Sequence, residues 1–352
     1  MFARLFGKSR KSGKYNKLPN KNNNKPPAPP VTVWTATTQN QMYYALEDKT
    51  PDELEKLVNA RNENGETPLI VASKNGHEGA VRHLLQKGAD INAKDHDDNT
   101  SLMLACIKGR GPVVHELVDN ISPKVKINEQ NKKGQTALIL AVENGKSGDA
   151  NTLISNTANV FLKDNEGETV FYVACKKGDT YIVNQLLKKY PYPKEYIEQY
   201  NKGGKSRDDL LYTKVDNGKT PLFIAVENKH LHIINRLLDF DIEKNVMDKE
   251  GNTPIDIALD HCISQKNKED ADLALDILEK LLDKPSNFHD RWLKKAETIT
   301  DKNLKNKVTK KLEYYEKFIK EKYPENYHNG GSRNRTRRRL KKPYSIKYLN
   351  IK

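Results

Sequence analysis

The sequence has 352 residues, of which 36% are hydrophobic and 31% charged, with three cysteines and a formal net charge of +14. That length allows one or two domains with a real core, and so few cysteines exclude a disulfide framework, so a reducing, intracellular setting, cytoplasmic or nuclear, is expected. No apolar run approaches the ~20 residues of a membrane-spanning helix, and neither a secretory leader nor an N-myristoyl group is expected from the basic start with Phe2 after the methionine.

Residues 1–35 read as a basic, Pro/Asn-rich disordered segment. The first 30 carry eight Lys/Arg and no acid, and "KLPNKNNNKPPAPP" has little to bury. Residues 36–61 read as a degenerate N-terminal capping repeat. Asn40, Ala45 and Leu57-Val58 keep the register of the units that follow. "TPDE" supplies a helix start, with Thr50 as cap, Pro51 in first position and Glu53 closing a capping box.

Residues 62–288 contain six repeated units, starting near 62, 95, 131, 164, 215 and 248. Their markers are Thr67, Thr100, Thr136, Thr169, Thr220 and Thr253, spaced 33, 36, 33, 51 and 33 residues apart. Two positions before each threonine stands Gly, or Asp98 in the second unit, and five positions after it stands Ala. An Asx three residues before that Gly, absent only at Val215, suits a turn in which Asx bonds its own backbone and Gly supplies positive φ. Each threonine is then a helix N-cap worth ~1 kcal/mol. Pro68, Pro221 and Pro254 sit at the first helical position, where a missing N–H costs nothing. The alanine permits close helix approach. Gly76, Gly109, Gly145 and Gly178 end the first helix. Pairs such as Leu84-Leu85 and Leu237-Leu238 belong to a second, antiparallel helix. No such unit can bury its apolar face alone, so the units must stack.

"GETPLIVA", "GKTPLFIA" and "GNTPIDIA" closely resemble the ankyrin-repeat signature Gly-x-Thr-Pro-Leu-His-x-Ala, departing at the histidine, which is Ile70, Phe223 and Asp256 here. The resemblance implies an all-α ankyrin-repeat solenoid of helix-turn-helix units with hairpin-like turns. It also implies protein partners bound along the turn tips and the exposed side of the first helices. By register the tips are Glu63-Asn64, His96-Asp97, Lys132-Lys133, Asn165-Glu166, Asp216-Asn217 and Lys249-Glu250. Their mixed charge offers no single-sign groove.

An 18-residue excess between the fourth and fifth units places an insertion at about 188–214, rich in tyrosine. Near "SQKNKED" a polar insert lengthens the helices of the last unit or their connection. Residues 289–327 form a helical extension, in which Val308, Leu312, Tyr315 and Ile319 share one stripe. The favoured reading of that stripe is a cap over the last unit; an exposed partner-binding helix is the other. Residues 328–352 read as a basic disordered tail, with Arg333, Arg335, Arg337, Arg338 and Arg339 forming a compact polycation suited to phosphates. Nucleic acid is therefore a second candidate partner, beside nuclear import, anionic membrane contact and solubility. From residue 289 onward twenty Lys/Arg face seven acids, and the stretch 31–288 is left with a net charge of −7. An arginine-rich end on a Lys/Asn-heavy chain is similar in composition to ankyrin proteins of large DNA viruses of amoebae.

Catalytic chemistry finds little support. "GKS" at Gly145 and Gly204 and "GKT" at Gly218 lack the glycine five positions earlier that a phosphate loop needs. Cys106 and Cys175 share a small packing slot, and Cys262 follows His261 without a paired-Cys or spaced-His pattern for a metal. No nucleophile stands at a recognisable spacing from a base. The expected protein is a monomeric adaptor or scaffold without cofactor or metal, and not an enzyme.

Overall fold

In the computed structural model, the residues described are 49–119, 125–192, 194, 198, 204–240, 242–265, 267–283, 288–322 and 327–328. The predicted N-terminal segment, Asn40 and Ala45 of the lead-in unit, and the arginine tail lie outside them.

The lead-in helix α1 (Pro51–Val58) starts as its sequence dictates: Thr50 and Glu53 form the reciprocal capping box. Six helix pairs follow. They are α2 (Pro68–Asn75) with α3 (Glu78–Gln86), α4 (Ser101–Lys108) with α5 (Gly111–Asp119), and α6 (Ala137–Glu143) with α7 (Ser147–Ser155). After α8 (Val170–Lys177) and α9 (Thr180–Lys189) comes a short helix, α10 (Arg207–Leu211), inside the insertion. The last pairs are α11 (Pro221–Glu227) with α12 (Leu231–Leu238), and α13 (Pro254–Ile263) with α14 (Lys268–Leu282). All six marker threonines cap the first helix of their pair, each accepting the backbone N–H three residues on.

First helices pack on the neighbouring first helices, in the order α2, α4, α6, α8, α11, α13, second helices stack likewise from α3 to α14, and within each pair the two helices pack on each other. The result is a two-layered, all-helical solenoid. Its core runs between the layers. Ala72, Ala105, Ala141, Ala174, Ala225 and Ala258 are wholly buried there, as close helix approach requires.

Departures from the repeat pattern have local causes. In the last unit Cys262 replaces the helix-ending glycine, and α13 runs on to Ile263. The polar insert lengthens α14 to 15 residues, starting at an Asn267 cap. In the insertion, Ser206 and Asp209 make a capping box for α10, which buries Leu210 and Leu211.

Beyond the last unit, the chain makes a further helix pair without the threonine signature. The six-residue α15 (Arg291–Ala296), which the sequence reading did not single out, packs on α13 and buries Trp292 completely. The 21-residue α16 (Lys302–Lys322) packs on α14 and buries Leu304, Val308, Leu312, Tyr315 and Ile319. The stripe is therefore a cap: α15 continues the inner layer and α16 the outer one. Arg291 and Lys295 bind Asp256 and Asp260 at 2.5 and 2.7 Å and tie α15 to α13. A two-residue parallel pairing, β1 (Phe288–His289) with β2 (Tyr327–His328), closes the extension.

Candidate functional site

Each turn before a first helix is built by one side chain. The Asn62 carboxamide oxygen accepts the N–H groups of Asn64 and Glu66 at 3.0 and 2.9 Å. Asp95 does the same for Asp97 and Asn99, Asn131 for Lys133 and Gln135, and Asp164 for Glu166 and Glu168. In the fifth turn Val215 cannot, and Asn217 instead accepts from Lys219 at 3.0 Å. The glycine slot has positive φ throughout, including Asp98 at 63°. At Gly65 the reason is also steric, because a Cβ there would collide with the His96 ring of the next turn.

The turns are joined tip to tip by backbone hydrogen bonds. The N–H of His96 donates to the Asn64 carbonyl at 3.1 Å, and that of Lys132 to Asp97 at 3.0 Å. Asn165 donates to Lys133 at 3.0 Å, Asp216 to Glu166 at 3.2 Å, and Lys249 to Asn217 at 2.9 Å. All twelve predicted tip residues, from Glu63 and Asn64 to Lys249 and Glu250, are exposed along this one file. The Asn165 side chain adds a bond to the Lys132 carbonyl at 2.9 Å.

Beside the tips runs a second row that the register alone did not reveal. In four of the six units the residue before the threonine reaches one eight positions later, in the last turn of the first helix. Glu66 pairs with Lys74, Glu168 with Lys176 and Lys219 with Glu227, each at 2.8 Å, and Gln135 bonds Glu143 at 2.7 Å. In the second unit Asn99 and Ile107 interrupt the row. The carboxyl groups of the two glutamates shift in opposite directions. Burial lifts the Glu168 carboxyl above its ordinary range despite Lys176, whereas at Glu66 the bonds from Lys74 and Asn62 outweigh burial and hold it lower.

Sequence comparison decides the family of this array. A family profile described as ankyrin repeats (3 copies) matches residues 42–127, 102–197 and 194–291, which is most of the chain. The chain belongs to the ankyrin-repeat family. It is 30% identical over 152 residues to the transient receptor potential cation channel subfamily A member 1 of Homo sapiens, covering 42% of this chain and 14% of that protein. It is 26% identical over 192 residues to Rabankyrin-5 of Homo sapiens, covering 54% of this chain and 15% of that protein. The chain thus covers about a seventh of the length of each of these two relatives. Among solved structures, the ankyrin repeat domain of Bcl-3 shares the fold, with a TM-score of 0.51, 17% identity, and coverage of 71% of this chain and 99% of that one.

The ankyrin fold is an interaction fold, and its buried groups are used for packing. Cys106, Cys175 and Cys262 are free and buried. Burial pushes the Cys106 and Cys175 thiols well above their usual range and that of Cys262 up to about 12, so none is a ready nucleophile. His261 lies 3.0 Å from the Val226 carbonyl, and burial pulls its pKa down. His230 lies 3.0 Å from the Lys176 carbonyl. Gly145 and Gly218 take positive φ, the one beyond the end of α6 and the other in a repeat turn. Among the described residues no three His, Cys, Asp or Glu side chains gather as a metal site, and no helix is long and apolar enough to cross a membrane. Arg333, Arg335, Arg337, Arg338 and Arg339 lie outside the described residues.

Proposed function

We propose that the protein is a non-catalytic adaptor or scaffold, an intracellular monomer that holds a protein partner along its ridge of turn tips. The observation that carries this reading is the unbroken file of tip-to-tip hydrogen bonds beneath twelve exposed side chains. A row held rigid before binding loses little conformational entropy when a partner docks. The tips mix Glu63, Asp97, Glu166, Asp216 and Glu250 with Lys132, Lys133 and Lys249, so charge sets register and partner choice rather than bulk attraction.

The test is quantitative capture of partners on immobilised full-length protein, beside a variant carrying Lys132→Glu, Lys133→Glu and Glu166→Lys. Partners of the ridge should weaken by about tenfold or more, the ~1.4 kcal/mol or more expected when charged contacts are reversed. Thermal melting should stay unchanged. Identical capture by both proteins would remove the ridge from the reading.

The segregation of charge favours a second reading: association of the basic ends with nucleic acid or another anionic surface, the repeats serving as the partner module. Twenty Lys/Arg against seven acids from residue 289 onward, beside a central stretch of net −7, is the supporting observation. Contacts from Arg333, Arg335, Arg337, Arg338 and Arg339 would contribute a log–log salt slope of about −4 on duplex DNA. Affinity insensitive to salt between about 50 and 200 mM would count against it.

A further inference from the structure

Helix α16 uses one face to cap the array and leaves the opposite face with a distinct chemistry. Its apolar stripe is buried against α14 and α15. On the solvent side, at helical steps of three and four residues, Lys307, Lys310, Tyr314 and Lys317 lie exposed in a file. Tyr314 is 71% exposed, more than Tyr181, Tyr192, Tyr212 or Met247, the other open large hydrophobics described.

Three other lysines of the helix are engaged. Lys311 pairs with Glu279 at 3.2 Å, Lys320 with Glu316 at 2.6 Å, and Lys305 donates to the Glu297 carbonyl at 2.5 Å. Lys307 and Lys310 have no such partner among the described residues, and Lys317 has only a loose approach to Glu321 at 4.0 Å. The helix carries eight lysines against three glutamates.

We infer that this face of α16 docks single-stranded nucleic acid, Lys307, Lys310 and Lys317 meeting phosphates and the Tyr314 ring stacking on a base. The inference rests on the reading of the C-terminal end as anion-binding and gives that end a site on the folded body. An aromatic ring standing among exposed lysines is the combination that single strands use, because every base has a π face and every nucleotide a charge. A duplex keeps its bases stacked inside and cannot reach Tyr314. A membrane would need an apolar face to insert, and that of α16 is already buried. Arg333 follows Lys322 by eleven residues, so the arginine cluster begins within a chain reach of about 40 Å, close enough for one strand to meet both.

The test uses the full chain with Arg333, Arg335, Arg337, Arg338 and Arg339 all changed to glutamine, so that the remaining binding reports on α16. Fluorescence anisotropy with a labelled oligothymidine of about 15 nucleotides should show binding with a log–log salt slope of about −2, from three lysines at ~0.7 each. Adding Lys307→Gln, Lys310→Gln and Lys317→Gln should flatten the slope. Tyr314→Ala should weaken binding by about five- to hundredfold, and Tyr314→Phe should restore it. Binding to a duplex of equal length should not respond to Tyr314→Ala. Lys307, Lys310, Tyr314 and Lys317 are exposed, and circular dichroism melts of their variants should superimpose on the parent.

If wild-type protein binds the strand and the arginine-free chain does not, the α16 site falls and the tail reading survives. If neither binds, both fall. Equal single-strand affinity for Tyr314→Ala and its parent would overturn the stacking site, as would polyglutamate or phosphatidylserine vesicles competing as well as the strand.

Discussion

Asp149 occupies a slot that the first, second, fourth and fifth units fill with Ala80, Val113, Ile182 and Ile233, all fully buried. Its own side chain is 8% exposed, and its Oδ2 atom has no hydrogen-bond partner. Burial raises its carboxyl pKa, with His115 and Lys146 opposing. Asp149→Val should therefore stabilise the protein at pH 7 by about 1–2 kcal/mol, the cost of a buried unsatisfied polar group. Between the ordinary carboxyl value of 3.8 and the raised folded value, the native state binds more protons than the unfolded chain. Wild-type stability then falls as pH rises through that window and stays lower above it. Thermal melts from about pH 4 to 7 should show the valine advantage shrinking on the acid side; an advantage independent of pH would remove the carboxylate as its cause.

At the scale of the helix pair, the alanine slot is the closest point of the stack. Ala141→Leu should overpack α6 against its neighbours and lower stability by about 1–3 kcal/mol, whereas Lys133→Ala at an exposed tip should shift it by less than about 0.5 kcal/mol. Urea midpoints of the two variants compare them directly, and equal shifts would contradict the register. The same register explains what could be read in advance. Thr caps, Asx turns and positive-φ glycines are local devices, so their hydrogen bonds are written in short spacings that recur. Twelve tip residues followed from them. Helix α15 did not, because Asp290 gives it no side-chain cap and six residues are too few for a period. The row from Glu66–Lys74 to Lys219–Glu227 was missed for another reason. Its partners stand eight apart across a cap, and their charges swap sides between units, leaving no repeated residue type to notice.

On the scale of the whole molecule, each described helix pair packs mainly on its neighbours, so stability is local and both ends need covers. Trp292, at 0% exposure, is the centre of the C-terminal cover. Trp292→Ala should cost about 3–5 kcal/mol and act at close range. Amide exchange should quicken in α13 and α14 well before it changes in α4 and α5; uniform quickening would mean that the stack unfolds as one body. The file of tips has a different property. Its fourth and fifth turns are separated by 51 residues between marker threonines, where three of the other four steps take 33, yet Asp216 still meets the Glu166 carbonyl at 3.2 Å. The ridge is thus a ruler whose graduations do not record how much chain was wound between two marks. A partner docked along it, as proposed above, would meet the same scale whether residues 188–214 are long or short, so the length of that segment would not alter what such a partner reads.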